Sequence, residues 1–187
     1  MDTIKLFKLV TDRATSLVES INESEWGSDT PCAEWSVKDL VRHMVYEVLW
    51  APDLLAGRTV AEVGSKYDGN VLGRDAAQAW HAAVKKALIS IEEPGVLRHQ
   101  VHLSYGDRLA RDYIMELTGD IFIHSWDLAR GIGADDELDE KLTKLFYKQI
   151  KPQEELIRSS GLFGPKVEVP PGADMQTKLL ALAGRKA

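Results

Sequence analysis

Cysteine is nearly missing: Cys32 stands alone in 187 residues, which rules out an intrachain disulfide and a metal site built of cysteines only. No block of lysine or arginine occurs, and 23 Lys+Arg against 29 Asp+Glu leave a formal charge of −6. This acidic balance lacks the electrostatic footprint of a nucleic-acid binder or of a protein that sits on anionic membranes. No uncharged apolar run approaches the roughly 20 residues of a membrane-spanning helix. The stretch Met1 to Lys8 has no charged segment leading into an apolar core, as a secretory signal would. These absences predict a cytoplasmic protein with neither nucleic acid nor membrane among its partners, working in a reducing compartment.

What is present is an ordinary soluble composition, 44% hydrophobic and 28% charged. The length suits a single domain over residues 1–187, able to bury about 70% of its unfolded surface. Leu6, Phe7, Val10, Ala14, Leu17, Val18 and Ile21 recur at spacings of three and four, which predicts an amphipathic helix from Thr3 to Ile21. Gly27 to Pro31 is turn chemistry, and Ser36 with Asp39 forms an acidic capping box that opens a second helix. Its apolar stripe is Val37, Leu40, Val41, Met44, Val45 and Val48. A polar, glycine-rich connection from Gly57 to Gly73 leads to a third stripe, Ala77 to Ile91, stopped by Pro94-Gly95.

Strand signal is confined to one place. His99, Val101, Leu103 and Tyr105 alternate with polar residues before Gly106-Asp107, which predicts an extended loop or short hairpin turning there. After Asp112 a long helix carries Ile114, Leu117, Ile121, His124 and Leu128, with Gly131 and Gly133 as its stop. Helical pieces are expected near Asp139 to Lys151, Pro152 to Ser160 and Asp174 to Ala183, with a Gly/Pro-rich passage from Gly161 to Gly172 between the last two. The expected fold is therefore all-α, a helical bundle whose facing helices can build a ligand or metal site from inward side chains.

Five histidines offer candidate chemistry. His81, His99 and His102 have no local carboxylate or histidine partner and are expected at the surface. His43 flanks the apolar face of the second helix with Glu47 one turn on, and Asp120 and His124 share one face of the long helix, with Asp127 on the same flank. His43, Asp120 and His124 could supply three N/O ligands to a divalent ion, the count of a catalytic rather than a structural zinc site. The same spacing also fits an ordinary hydrogen-bonded Asp–His pair beside a core histidine. Cys32 precedes a helix N-terminus, where a thiolate is favoured. It has no histidine near it in sequence and lies roughly 15 Å of helical path from His43, so a packed thiol is expected. The five tryptophans are assigned to the core or to a pocket mouth.

Three separated strings raise a family resemblance: Thr30 to His43 (TPCAEWSVKDLVRH), Asp120 to Arg130 (DIFIHSWDLAR) followed by Gly133, and a tail running through Phe163-Gly164-Pro165, Val169-Pro170, Leu179 to Ala181 and Gly184-Arg185. The chain resembles the DinB-like metal-binding superfamily, and within it the branch containing the metal-binding domain of mycothiol-dependent maleylpyruvate isomerase. That resemblance implies an up-and-down four-helix core with extra helices after it, and makes His43, Asp120 and His124 the metal ligands. The isomerase carries glutamate where this chain has Asp120, and adds a second domain that this sequence does not include, so maleylpyruvate isomerisation itself is not carried over.

The implied cofactor is a divalent metal, zinc first, with nickel, iron or manganese as alternatives. The implied partners are a mycothiol-like small thiol and a small electrophile, in a monomer or homodimer, and the implied reaction is S-transfer or thiol-assisted isomerisation. Glu47 and Asp127 are the candidates to orient a ligand histidine or to move a proton. The alternative function is a non-catalytic bundle, metal-bound or metal-free, acting as a sensor or partner-binding module. A two-histidine, one-carboxylate iron oxygenase would use the same ligand types, and the scarcity of strands argues against it.

Overall fold

The computed structural model describes residues 2–159, 164–165 and 167–187. Phe163 and the boundary between the expected helix ending at Ser160 and the passage beginning at Gly161 lie outside those residues. The fold is all-α with one small hairpin. Helices α1 (Thr3–Ser20), α2 (Val37–Leu55), α4 (Ala76–Ile91) and α5 (Ala110–Gly131) form the core; α3 (Val60–Val63) is a single turn; α6 (Glu140–Ile150), α7 (Glu154–Ser159) and α8 (Met175–Leu182) follow it.

The four long helices close into a ring in which α1 packs on α4 and α5, and α2 packs on the same two. Consecutive helices α1 and α2 therefore lie across the bundle from each other, and α2 and α5 are neighbours. Each helix turns residues of the stripe predicted from its spacing into this centre: Leu6, Phe7, Val10 and Ala14 from α1, Leu40, Val41, Met44 and Val48 from α2, Trp80, Ala87 and Ile91 from α4, Ile114, Ile121 and Leu128 from α5, all buried. Trp80 is wholly enclosed and its indole N–H donates to Thr15 Oγ1 at 2.8 Å, so its polar atom is satisfied. Among the described residues no helix is long and apolar enough to cross a membrane.

Helix α2 begins where the capping box predicts: Ser36 Oγ accepts from the Asp39 backbone N–H while Asp39 returns to the Ser36 backbone. The connection from Gly57 to Gly73 is less featureless than expected. Thr59 and Glu62 form a second capping box and wind α3, a signal of the same kind as Ser36/Asp39 that the glycine-rich composition masked. This connection is tied back to α2 by Asp53, which accepts from Lys66 Nζ and Tyr67 Oη, each at 2.6 Å, and faces Arg58 at 3.5 Å.

Burial would push the Asp53 carboxyl up, but these partners hold it below its ordinary value. Its contribution to stability is therefore full above the unfolded carboxylate pKa of about 3.9 and is lost as pH falls through the lower folded value. Asp53→Asn is expected to melt below the wild type at neutral pH, with the gap closing in acid; a gap that persists unchanged below the folded value contradicts the ion-pair account.

The hairpin pairs β1 (Gln100–Leu103) with β2 (Gly106–Leu109), antiparallel. The turn lies at Ser104-Tyr105 rather than at Gly106-Asp107, because the register Leu103↔Gly106 buries Val101 and sets His102 opposite Asp107. His102 Nδ1 meets Asp107 Oδ1 at 2.8 Å and His81 Nε2 meets Glu19 Oε1 at 2.8 Å. His81 is exposed as expected and His102 is half-buried, yet each has a carboxylate partner, brought by the packing of α4 on α1 and by cross-strand pairing.

Candidate metal centre

Because α2 and α5 are ring neighbours, the one-turn pair on α5 faces the flank of α2 that carries His43. Asp120 stands between two imidazoles: its Oδ2 is 3.4 Å from His43 Nε2 and its Oδ1 is 3.4 Å from His124 Nε2. The two imidazole centroids are 4.8 Å apart, with the rings edge to face. One donor atom from each residue lies within 4.8 Å of the others.

His43 Nε2 and Asp120 Oδ2 are themselves buried and make no hydrogen bond, although they face each other. Two orphaned polar atoms in one place are costly unless a third body satisfies both. The 3.4 Å contacts set one imidazole nitrogen beside each Asp120 oxygen, close enough for a single ion to draw the three residues together. Two imidazole nitrogens and one carboxylate are a donor set that divalent transition metals accept.

The electrostatics favour a cation. Burial would raise the Asp120 carboxyl, but the charge of His124 and the proximity of both histidines hold it far below the usual carboxylate range. Burial would likewise lower His124, and the charge of Asp120 with the bonds from Asp120, Asp127 and Cys32 holds it well above an ordinary imidazole. Surroundings that draw positive charge to these imidazoles also draw a divalent ion, which would displace the protons.

The other face of His124 is engaged as well. Its Nδ1 donates to Asp127 Oδ2 at 2.9 Å, and Asp127 is completely buried. A carboxylate on the far ring nitrogen fixes tautomer and orientation and leaves Nε2 free to bind a metal. Glu47 Oε1 is 4.0 Å from His43 Nδ1, too long for a hydrogen bond. Burial and the nearby Asp120 push the Glu47 carboxyl up, against the opposing pull of His43 and His124.

Residues 7–129 match the family described as the mycothiol maleylpyruvate isomerase N-terminal domain, a stretch that runs from within α1 to near the end of α5 and contains all three candidate ligands. The chain belongs to this family. Two uncharacterised proteins of Mycobacterium tuberculosis, from strains CDC 1551 and H37Rv, are each 28% identical over 173 residues, covering 91% of this chain and 84% of theirs. Among solved structures, mycothiol-dependent maleylpyruvate isomerase superposes with a TM-score of 0.63 at 16% identity, covering 79% of this chain and 68% of that one. A histidine-to-alanine mutant of that enzyme gives the same score at 14% identity. At these identities the structural likeness is one of fold.

Against this family background, the chain brings three more side chains to the centre than its local spacing indicates. The segment before α2 is a closed turn: Asp29 bridges Ser36, and the Thr30 backbone N–H and hydroxyl both donate to the Trp35 carbonyl. Glu34 closes it in a left-handed conformation with φ 66°, an uncommon geometry for a residue with a side chain. The turn sets Trp35 over both imidazoles, 4.8 Å from the His43 centroid and 5.9 Å from that of His124.

Gly131 at the end of α5 lets this turn approach, since a Cβ there would stand 3.0 Å from Val37 and 3.1 Å from Thr30. Cys32 consequently reaches α5: its Sγ donates to Asp127 Oδ2 at 3.2 Å and lies 3.8 Å from His124 Nδ1. The thiol is packed, as expected, but against a histidine 92 residues away that sequence proximity could not reveal. Arg185, which follows α8, completes the cluster at Asp127. The three-residue spacing of Cys32 and Trp35 and the glycine before Arg185 were visible signals, but neither specifies a partner.

Proposed function

We propose that this chain is a divalent-metal enzyme that uses a low-molecular-weight thiol to attack a small electrophile. The observation that carries the reading is the buried, unbonded pair His43 Nε2 and Asp120 Oδ2, completed by His124 Nε2. His43, Asp120 and His124 would hold the ion, zinc by preference, with nickel, iron or manganese suited to the same donors. A bound divalent ion supplies Lewis acidity that favours the thiolate form of a small thiol at neutral pH.

The remaining work falls to the protein. Asp127 accepts the Nδ1 proton of His124 and keeps Nε2 directed at the ligand set. Trp35 covers both imidazoles and limits water on that side. Glu47, one turn from His43 with its carboxyl pushed up by burial and by Asp120, would take up the proton that the thiol gives up. The thiolate sulfur would then bond to an electrophilic carbon: in S-transfer the carbon's leaving group departs with its electron pair, and in isomerisation a carbon–carbon π bond opens, the resulting single bond rotates, and the π bond re-forms as the thiolate is expelled. Membership of a family named for a mycothiol-dependent isomerase supports the choice of thiol.

The test incubates the purified chain with mycothiol and chlorodinitrobenzene, with and without zinc, and follows loss of free thiol. Zinc-dependent consumption that Glu47→Gln slows while still binding zinc is the expected result. Zinc bound without any acceleration would overturn the catalytic reading and leave a metal-binding recognition module.

A further inference from the structure

Arg185 is bound into the buried cluster behind His124. Its Nε donates to Asp127 Oδ1 at 3.2 Å and Oδ2 at 3.3 Å, and its Nη2 donates to Oδ2 at 2.9 Å and to Cys32 Sγ at 3.3 Å. Only 13% of its side chain is exposed. The backbone is arranged to deliver it. Gly184 takes φ 81° and lies so close to Gly164 that a Cβ would stand 2.8 Å from the Gly164 Cα. Only glycine fits that turn. The Arg185 backbone N–H then donates to the Leu180 carbonyl at 2.8 Å, fastening the segment to the end of α8.

Cys32, His124 and Asp127 also approach closely enough to suggest a second ion beside the first. The guanidinium argues against that, since it already supplies the positive charge that this carboxylate and thiol face. The cluster is therefore the outer support of a single metal centre, running Arg185 to Asp127 to His124 Nδ1, with His124 Nε2 turned to His43 and Asp120 on the other side of the ring.

We propose that Arg185 is a positioning residue of the metal centre: by clamping Asp127 it fixes the imidazole of His124, so that metal affinity depends on the Arg185–Asp127 contact. This rests on the metal reading given above. Without the guanidinium, a completely buried Asp127 carboxylate has to turn toward water or take up a proton, and either change loosens its hold on His124. A purely structural Arg185 would fasten the segment to α5 and leave the ligand set untouched.

The test compares wild type, Arg185→Met, Arg185→Lys and Leu179→Ala. Leu179 is a buried residue of α8 outside the Asp127 cluster, so its truncation costs packing energy while the guanidinium and its partners remain. Three readouts are taken: zinc affinity by chelator competition, the visible spectrum of the cobalt-substituted protein, and, in the metal-free protein, solvent exchange of the His124 Nδ1–H followed by 15N NMR. Arg185→Met is expected to weaken zinc by roughly 10–100-fold, shift the cobalt bands and speed the N–H exchange. Leu179→Ala is expected to lower the melting temperature and keep the affinity.

Arg185→Met with wild-type affinity, spectrum and exchange overturns the proposal, whatever its melting temperature. If Arg185→Met does not fold, Arg185→Lys decides: one ammonium cannot reproduce the fork, so weaker zinc binding is expected and unchanged binding refutes it. If the wild type takes up no zinc, the proposed function fails separately. The exchange readout then still decides the clamp, with faster exchange in the variant supporting it and equal exchange refuting it.

Discussion

Replacing Asp127 with alanine is expected to lower the unfolding free energy of the metal-free protein by about 3 kcal/mol, the lower end of the range for breaking a buried ion pair. Asp127 is completely buried and takes bonds from His124, Cys32 and Arg185, so its removal leaves three donors without their acceptor. The lower end applies because Arg185 sits in a short segment after α8 and can swing toward water, whereas His124 is held within α5. Asp127→Asn keeps an acceptor for the His124 N–H and loses the charge, so it should fall between the two. Urea unfolding of the three proteins checks this order; an alanine variant as stable as wild type would mean that the cluster is not formed in solution.

His124→Ala should have the larger functional effect. One of the three proposed ligands disappears, and with it the imidazole that touches both Asp120 and Asp127. Zinc at about 100 times its dissociation constant stabilises a folded protein by about 2.7 kcal/mol, which for a chain of this length corresponds to about 5–10 °C in melting temperature. The wild type is expected to show that rise, and His124→Ala none. His43→Ala should behave in the same way from the opposite helix, while a control at the exposed His81 should keep the full rise. An undiminished rise in His124→Ala would place the ion elsewhere.

How far these features could be read in advance followed the range of the interactions behind them. The start of helix α2 was legible to the residue because its capping box and its apolar stripe are both local, and the i, i+4 pair Asp120 and His124 is local too. Bringing His43 onto that pair requires the ring order of the bundle, in which α2 neighbours α5. Spacing cannot supply this, and the family resemblance did. The hairpin was foreseen but its turn was misplaced by two residues, since pairing register is settled by His102 opposite Asp107 and by burial of Val101, not by the glycine alone. Cys32 and Arg185 were the hardest to see. Their partners on α5 lie 92 to 95 and 58 residues away, and only the closed turn at Glu34 and the left-handed turn at Gly184 bring them in.

The central claim is that His43, Asp120 and His124 form one divalent-metal site between α2 and α5. Its most direct test is the metal content of the untagged wild-type protein, measured by elemental analysis after incubation with zinc and removal of the excess. About one ion per chain is predicted from a single three-ligand site. A protein that remains metal-free after exposure to both zinc and nickel would contradict the account.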